Sequence, residues 1–360
     1  MAYKHPGYKL AIIGFGGVAG YHESILAKHF AGKIDVVGAY DVREEARAKA
    51  KGKGLYVYGT PAEIYADKSI DIVLISTPND VHKAYSISCL EAGKSVICEK
   101  PVAMDSNELM QIIEAAAKAD GFFTVHQNRR WDRDYLVARK AFEDGLLHDP
   151  YIIESRVQGS RQTLHGWRGW KQNGGGMVLD WGVHLLDQML DWMQGKVVGV
   201  SAVLHKVFAP QVDDNFTASF RFDSGVNYIV NVSMNAFILQ PRWHIFAKDG
   251  TAIIENWECE GKIVKLADTS SLSWEEDIVY TAAGPTRSMA PRPSSTVTEL
   301  PLPELPAPPT QAPEFYRNIV AKLDGREELV VKPDQCLRVM RLIDLVFESD
   351  AMERGLACEI

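Results

Sequence analysis

The stretch KLAIIGFGGVAGYHESILAKHF, residues 9–30, decides the fold. A short apolar run rich in β-branched residues, KLAIIG, enters a turn of the form GxGxxA (Gly14, Gly16, Gly17, Val18, Ala19). The turn opens a helical pattern, VAGYHESILAKHF. A strand feeding a helix through such a turn is the context in which the pattern carries meaning: Gly14 serves the tight turn, and Gly16 lets backbone approach a pyrophosphate. Ala19 permits close helix–strand packing. The next apolar run, IDVVGAYD (residues 34–41), ends at Asp41. A carboxylate there can hold the adenosine ribose hydroxyls and repels a 2′-phosphate, so NAD is expected over NADP. Arg43 is close enough in sequence to soften that repulsion.

Outward from this unit the grammar repeats. DIVLIST (71–77), SVICEKP (95–101) and FFTVHQN (122–128) are short continuous apolar runs, separated by helical patterns such as EEARAKAKG and NELMQIIEAAAKADG. Strands without alternation, spaced by helices, indicate a parallel sheet covered on both faces, and right-handed crossovers make it doubly wound. The expected fold class is α/β, with a Rossmann domain over 1–128 followed by a second α+β domain over 129–360. In that second part FTASFRFDSGVNYIVNVSMN and HIFAKDGTAIIEN alternate and turn at Asp-Ser-Gly and Asp-Gly, which predicts hairpins. KIVKLAD and EEDIVYTA are read as continuing a large, mainly antiparallel open sheet, with a helix over 174–193 against one face. The proline-rich segment 284–313 reads either as an extended crossover or arm, or as a surface loop. Two helical patterns close the chain.

With 360 residues, two domains are expected. The net charge of −8 argues against a nucleic-acid partner, because phosphate-binding Lys and Arg are not in excess. The five cysteines are scattered without a CxxC pair, which suits a reducing compartment and small core residues. No apolar run approaches a bilayer span, and the start does not read as a signal peptide, so the expected location is cytoplasmic, without a membrane partner.

Two places carry chemistry. Lys100 follows the fourth apolar run, and ligands of open α/β sheets collect outside such strand ends. It reads either as a group that polarises a substrate oxygen or as a surface lysine. The second place is GGGMVLDWGVHLLDQ (174–188), apolar nearly all round yet bearing Asp180, His184 and Asp187, with Asp191 beyond. At 100° per residue these four fall within an arc of ~60°. A metal needs more ligands than one histidine with this spacing supplies, so no metal is assigned. A solvated stripe would carry longer side chains. Acid/base work fits better, with His184 taking a hydroxyl proton and Asp180 supporting it or contacting the hydroxyl, while Asp187 and Asp191 are structural. RQTLHGWRGWKQN (161–173) and NRRWDRDY (128–135) are weaker candidates. Trp167 and Arg168 suit a sugar ring or pack a loop, and Arg129 touches substrate or pairs with a nearby aspartate.

The GxGxxA turn, the segment STPNDVHKAYSISCLEAGKSVICEKP (76–101) and the later DWGVHLLD are together similar to the glucose–fructose oxidoreductase/inositol dehydrogenase (Gfo/Idh/MocA) family, across essentially the whole chain. That resemblance implies NAD(P)-dependent oxidation or reduction of a secondary alcohol on a sugar, inositol or related polyol. It also implies a homo-oligomer, dimer or tetramer, formed through the C-terminal sheet. Lys100 matches the lysine that bridges cofactor and substrate, followed by a cis bond to Pro101. Thr77, Pro78, Asn79 and His82 match the segment lining the cofactor, and Glu99 lies by the nicotinamide ribose. Asp180 and His184 match the catalytic pair. The same residue set would serve an NAD-dependent glycosidase that oxidises its sugar transiently. A non-catalytic NAD(P)-binding regulator is the rival outside the enzymes.

Overall fold

The computed structural model describes residues 7–267, 278–286, 294–306 and 313–360. The first sheet contains β1 (Tyr8–Ile13), β2 (Ile34–Tyr40), β3 (Tyr56–Val57), β4 (Ile72–Ile75), β5 (Ser95–Cys98) and β6 (Phe123–Val125). Every pairing is parallel, and the order is β3-β2-β1-β4-β5-β6. Residues 10–13 of β1, all of β4 and residues 96–98 of β5 lose almost all contact with water, which is why their sequences run apolar without alternation. Ile12 sits opposite Ala39 on one side and Leu74 on the other. The strand order reverses between β1 and β4, and the crevice at that switch point is where a doubly wound sheet receives ligand. Helices α1 (Gly17–His29), α2 (Glu44–Gly52), α3 (Pro61–Ala66), α4 (His82–Glu91) and α5 (Ser106–Ala116) cover it. The two-residue β3 carries too short a pattern to be read from sequence.

After α6 (Arg133–Glu143) comes a nine-stranded mixed sheet. Its strands are β7 (Pro150–Gln158), β8 (Val197–His205), β9 (Asn215–Phe222), β10 (Asn227–Ser233), β11 (Trp243–Ala247), β12 (Gly250–Ile254) and β13 (Gly261–Leu266), then edge strands described below. All pairings are antiparallel except β7 with β10. Alternation along β9 buries Phe216, Ala218, Phe220 and Phe222 and turns Thr217 and Arg221 outward. The buried side meets α7 (Val183–Trp192) and, late in the chain, α9 (Pro333–Ala351). Leu185, Leu186 and Met189 of α7 are buried. Each such side chain contributes about 1.5–3 kcal/mol of hydrophobic stabilisation.

Three expectations change. The described part of EEDIVYTA does not continue the large sheet: β14 (Val279–Thr281) pairs only with β15 (Gly284–Thr286). Within the proline-rich segment, β16 (Val297–Pro301) pairs with β13 and forms one edge of the nine-stranded sheet. Prolines at an edge leave no ladder bond unmade inside the sheet, so the composition hid a strand. Residues 287–293 and 307–312 of that segment lie outside the described residues. The helix expected from residue 174 begins later, because Gly174 and Gly176 hold left-handed backbone (φ 72° and 105°). The opposite edge is β17 (Leu356–Ala357).

The closing helices return to the first sheet. Tyr316 of α8 (Glu314–Leu323) bonds His22 of α1, Thr124 of β6 donates to the Val331 carbonyl, and α9 packs on α5. Among the described residues no helix is long and apolar enough to cross a membrane.

Candidate active site

The cleft at the switch point has a volume of about 790 Å³ and runs from Gly14 and Asp41 to His184. Its first end is built by backbone. Gly14 has φ 89°, and a Cβ there would lie 2.5 Å from the Ser76 carbonyl oxygen, so strand β4 crowds the turn to glycine. Gly16 and Gly17 differ: a Cβ on Gly16 would meet only Arg43 at 3.8 Å, and one on Gly17 nothing within 4 Å. These two keep an open floor at the N-terminus of α1, which has no side-chain cap. Free N–H groups and the helix dipole suit an anionic pyrophosphate. Asp41 closes this end. Burial works against its charge, but hydrogen bonds from the Arg43 side chain and from the N–H groups of Arg43 and Phe15 hold the carboxyl below its usual range. The residues present therefore fit a dinucleotide.

The other end is built across the two sheets. Asn79 Nδ2 donates to the Gly174 carbonyl (2.7 Å). Asp213 accepts from the Val178 N–H (2.7 Å), and its own carbonyl accepts from Met177 N–H. A Cβ on Gly176 would sit 2.3 Å from Asp213 Oδ1. Pinned there, the helix opens with a π-turn, Val178–Gly182, that leads into α7. Such turns widen the helix and rephase it. Asp180 consequently leaves the Asp187–Asp191 row. Lys100 Nζ donates to the Asp180 carbonyl (2.9 Å) and to Asp180 Oδ1 (3.0 Å), while Arg168 Nε donates to Oδ2 (3.2 Å). Against burial, these two cations hold the Asp180 carboxyl below its usual value.

Among the described residues the His184 ring has no hydrogen-bond partner, and its Nδ1 is buried. Burial first, then the charges of Lys100 and Arg129, push its pKa well below the ordinary imidazole value. The ring is therefore neutral near pH 7 and beside a lysine ammonium already fixed by a carboxylate. Asp180 bonds Lys100 and Arg168 rather than His184. The bond from Lys100 to Pro101 is cis.

The expected site residues line this one cleft, apart from Ala19, Asn79 and His82. Ala19 is buried against the sheet, Asn79 holds Gly174, and His82 braces the carbonyls of Pro101 (2.9 Å) and Thr77 (3.0 Å). These three act behind the wall. Arg129 bonds Asp132 (2.7 Å), which is the pairing reading of it, and lies over the Trp181 ring at 4.2 Å. Arg168 lies over Trp167 at 4.7 Å. Asp187 is a buried partner of Arg130 (2.7 and 2.8 Å), and Asp191 bonds Tyr135 and Arg139.

Sequence reading missed the surroundings of Glu99. Its Oε1 accepts from His22 Nε2 (2.7 Å) and His126 Nδ1 (2.8 Å), and its Oε2 from the Lys100 N–H (3.1 Å). Two imidazoles and a carboxylate are also metal-ligand types. The contacts here are those of hydrogen bonds to a shared oxygen. The available signal was His22 itself, a polar residue on the buried face of α1. Trp257, tilted against Trp181 with ring centroids 6.1 Å apart, gave none.

Residues 8–127 match the model for the oxidoreductase family with an NAD-binding Rossmann fold, and residues 135–253 match the GFO/IDH/MocA C-terminal domain. The chain belongs to the Gfo/Idh/MocA oxidoreductase family. Its Rossmann domain is therefore an NAD(P)-binding one. Among solved structures of this fold, an NAD-binding protein from Listeria innocua is 39% identical with TM-score 0.92, covering 98% of this chain and 100% of that one. An uncharacterized oxidoreductase of Schizosaccharomyces pombe is 33% identical over 186 residues, 51% of this chain and 50% of its own, so that match spans only half the relative. The scyllo-inositol 2-dehydrogenase (NADP(+)) IolW of Bacillus subtilis is 25% identical over 82% of this chain and 81% of its own.

Proposed function

We propose that this Gfo/Idh/MocA chain is an NAD-dependent dehydrogenase acting on a secondary alcohol of a sugar, inositol or related polyol. The observation that carries the reading is the convergence of the Lys100–Asp180 pair with a neutral His184 at the end of the cleft opposite the glycine turn and Asp41. When bound, the dinucleotide supplies the hydride acceptor or donor. The chain's residues handle the proton. Lys100, fixed by Asp180, donates toward the reacting oxygen and stabilises charge that grows on it as the C–H bond breaks. His184, kept in its accepting form by burial, takes the hydroxyl proton, and returns it in the reverse direction. The aromatic faces of Trp167 and Trp181 line the same cleft and suit the apolar side of a ring.

Asp41 supports NAD over NADP, because its carboxylate stays ionised where a 2′-phosphate would sit. The outward side of the nine-stranded sheet supports a homo-oligomer: Tyr151 and Val203 are among its exposed apolar side chains. The test is a spectrophotometric screen with NAD and with NADP against inositols, hexoses, pentoses, sugar acids and glycosides. Reduced nicotinamide should accumulate with a polyol or sugar, faster with NAD. No turnover across the panel, with dinucleotide bound, would sink the reading in favour of a regulator. Aglycone release without net reduced nicotinamide would replace it with the glycosidase.

A further inference from the structure

We propose that the substrate carries an anionic group, a carboxylate or a phosphate ester, which Arg168 and Arg129 receive at the reacting end of the cleft. The proposal rests on reading the cleft as the site of a nicotinamide-dependent dehydrogenase, and it narrows the sugar or polyol of that reading to an acidic one.

Both guanidinium groups lie beside adjacent residues of the π-turn. Arg168 Nε donates to Asp180 Oδ2 (3.2 Å), and Arg129 lies over the Trp181 ring at 4.2 Å. Each is held at a second point, Arg168 by the Trp167 ring at 4.7 Å and Arg129 through Nη1 to Asp132 (2.7 Å). An arginine fixed by an aromatic face and a carboxylate has lost its rotamer freedom before a ligand arrives. Its planar fork still has donors to give. Among the described residues, Nη1 and Nη2 of Arg168 and Nε and Nη2 of Arg129 donate no hydrogen bond to protein. Both side chains are half-buried, and both residues line the cleft.

The carboxylates of this end are already in use. Lys100 occupies Asp180 Oδ1 and the Asp180 carbonyl, so Lys100 and Arg168 share one carboxylate. Glu99 gives its oxygens to His22, His126 and the Lys100 N–H. Among the described residues no carboxylate other than Asp180 pairs with Arg168, and none other than Asp132 with Arg129. The whole chain has net charge −8, so this gathering of cations is local and not a reflection of composition. It reaches the reacting centre: after burial, Lys100 and Arg129 push the His184 pKa down. A neutral polyol offers hydroxyls that donate as well as accept, and their protons would meet carboxylates already bonded to cations or imidazoles. A carboxylate or phosphate only accepts, and it matches a guanidinium fork at two points.

The experiment compares matched probes that differ in the anion: glucose with glucuronate and with glucose 6-phosphate, and myo-inositol with myo-inositol 1-phosphate. For each, kcat/KM with NAD+ and Kd on the NAD+-loaded full chain are measured for the wild type, Arg168→Gln and Arg129→Gln. The wild type should favour the anionic member by about tenfold or more, as expected of charge-assisted hydrogen bonds from half-buried arginines. Each variant should cut that preference by about tenfold; the ratio is read, so a general loss of turnover does not count. A lead for glucuronate identifies a sugar acid, and a lead for the phosphates a phosphate ester. No preference in the wild type, a preference for the neutral members, or one that neither variant reduces overturns the proposal and leaves the dehydrogenase reading standing. Binding of NAD+ with neither turnover nor binding of any probe overturns both. Should the variants not fold, the wild-type ratio alone decides between these outcomes.

Discussion

Lys100 and Asp180 are eighty residues apart in sequence and share a hydrogen bond of 3.0 Å. That contact assigns different duties to residues that a helical stripe had grouped together. Lys100→Ala and His184→Ala should each lower turnover by ~100-fold or more while leaving dinucleotide affinity largely unchanged, measured by steady-state kinetics beside cofactor titration. Since the folded His184 binds its proton only well below pH 6.5, the acid limb of alcohol oxidation should also lie below that pH. A limb at or above it would exclude His184 as the accepting base. The same depression has a stability consequence. His22, His82 and His184 are buried with lowered pKa values, burial being the first cause of each. The unfolded chain therefore binds more protons as pH falls through about 6.5, and stability present above that value is lost below it. Each histidine contributes at most about 1.4 kcal/mol of loss between pH 7.5 and 5.5. Urea unfolding of the wild type and of His184→Asn across that window should show the variant losing less.

At the scale of the element, the helix that carries Asp180 and His184 is set by its first turn. Gly176 has φ 105° with no room for a Cβ beside Asp213. Gly176→Ala should cost on the order of 1–3 kcal/mol and lower turnover more than it lowers cofactor binding, because the strain falls on the turn that aims Asp180. The far end of the helix serves the core. Arg130 and Asp187 are both nearly inaccessible and bonded twice. Arg130→Met should destabilise the fold by about 3–5 kcal/mol, since it strands a buried carboxylate. Thermal or denaturant unfolding of the two variants separates the roles: a mild shift with lost turnover at Gly176, a large shift at Arg130.

On the scale of the whole molecule, the late helices tie the second part of the chain to the first. Tyr316 reaches His22, and Ser349 and Asp350 of α9 accept from the N–H groups of Ala202 and Leu204 in β8. One face of the nine-stranded sheet is covered by these helices, while the other carries exposed Val203 and Tyr151. Light scattering after size exclusion should report a dimer or tetramer, and Val203→Lys with Tyr151→Lys should shift it toward monomer without loss of fold. A monomeric wild type would leave that face uncovered in solution and sink the oligomer proposal.

The GxGxxA turn and the unalternating strands determined the doubly wound sheet and the cofactor crevice, since a turn needing glycine and strands buried on both faces are dictated locally. CEKP and DWGVHLLD singled out Lys100, Asp180 and His184 as candidates, with their roles implied by the family resemblance. The sequence also placed Asp180, His184, Asp187 and Asp191 on one helical arc, with Asp187 and Asp191 read as structural. Only the tertiary structure divided it, through a π-turn that a uniform 100° step cannot represent, and gave Asp180 to Lys100 and Asp187 to Arg130. It alone gathered His22, Glu99, His126 and Tyr316 from α1, the ends of β5 and β6, and α8. Hydrogen bonds between residues so far apart in sequence follow no period.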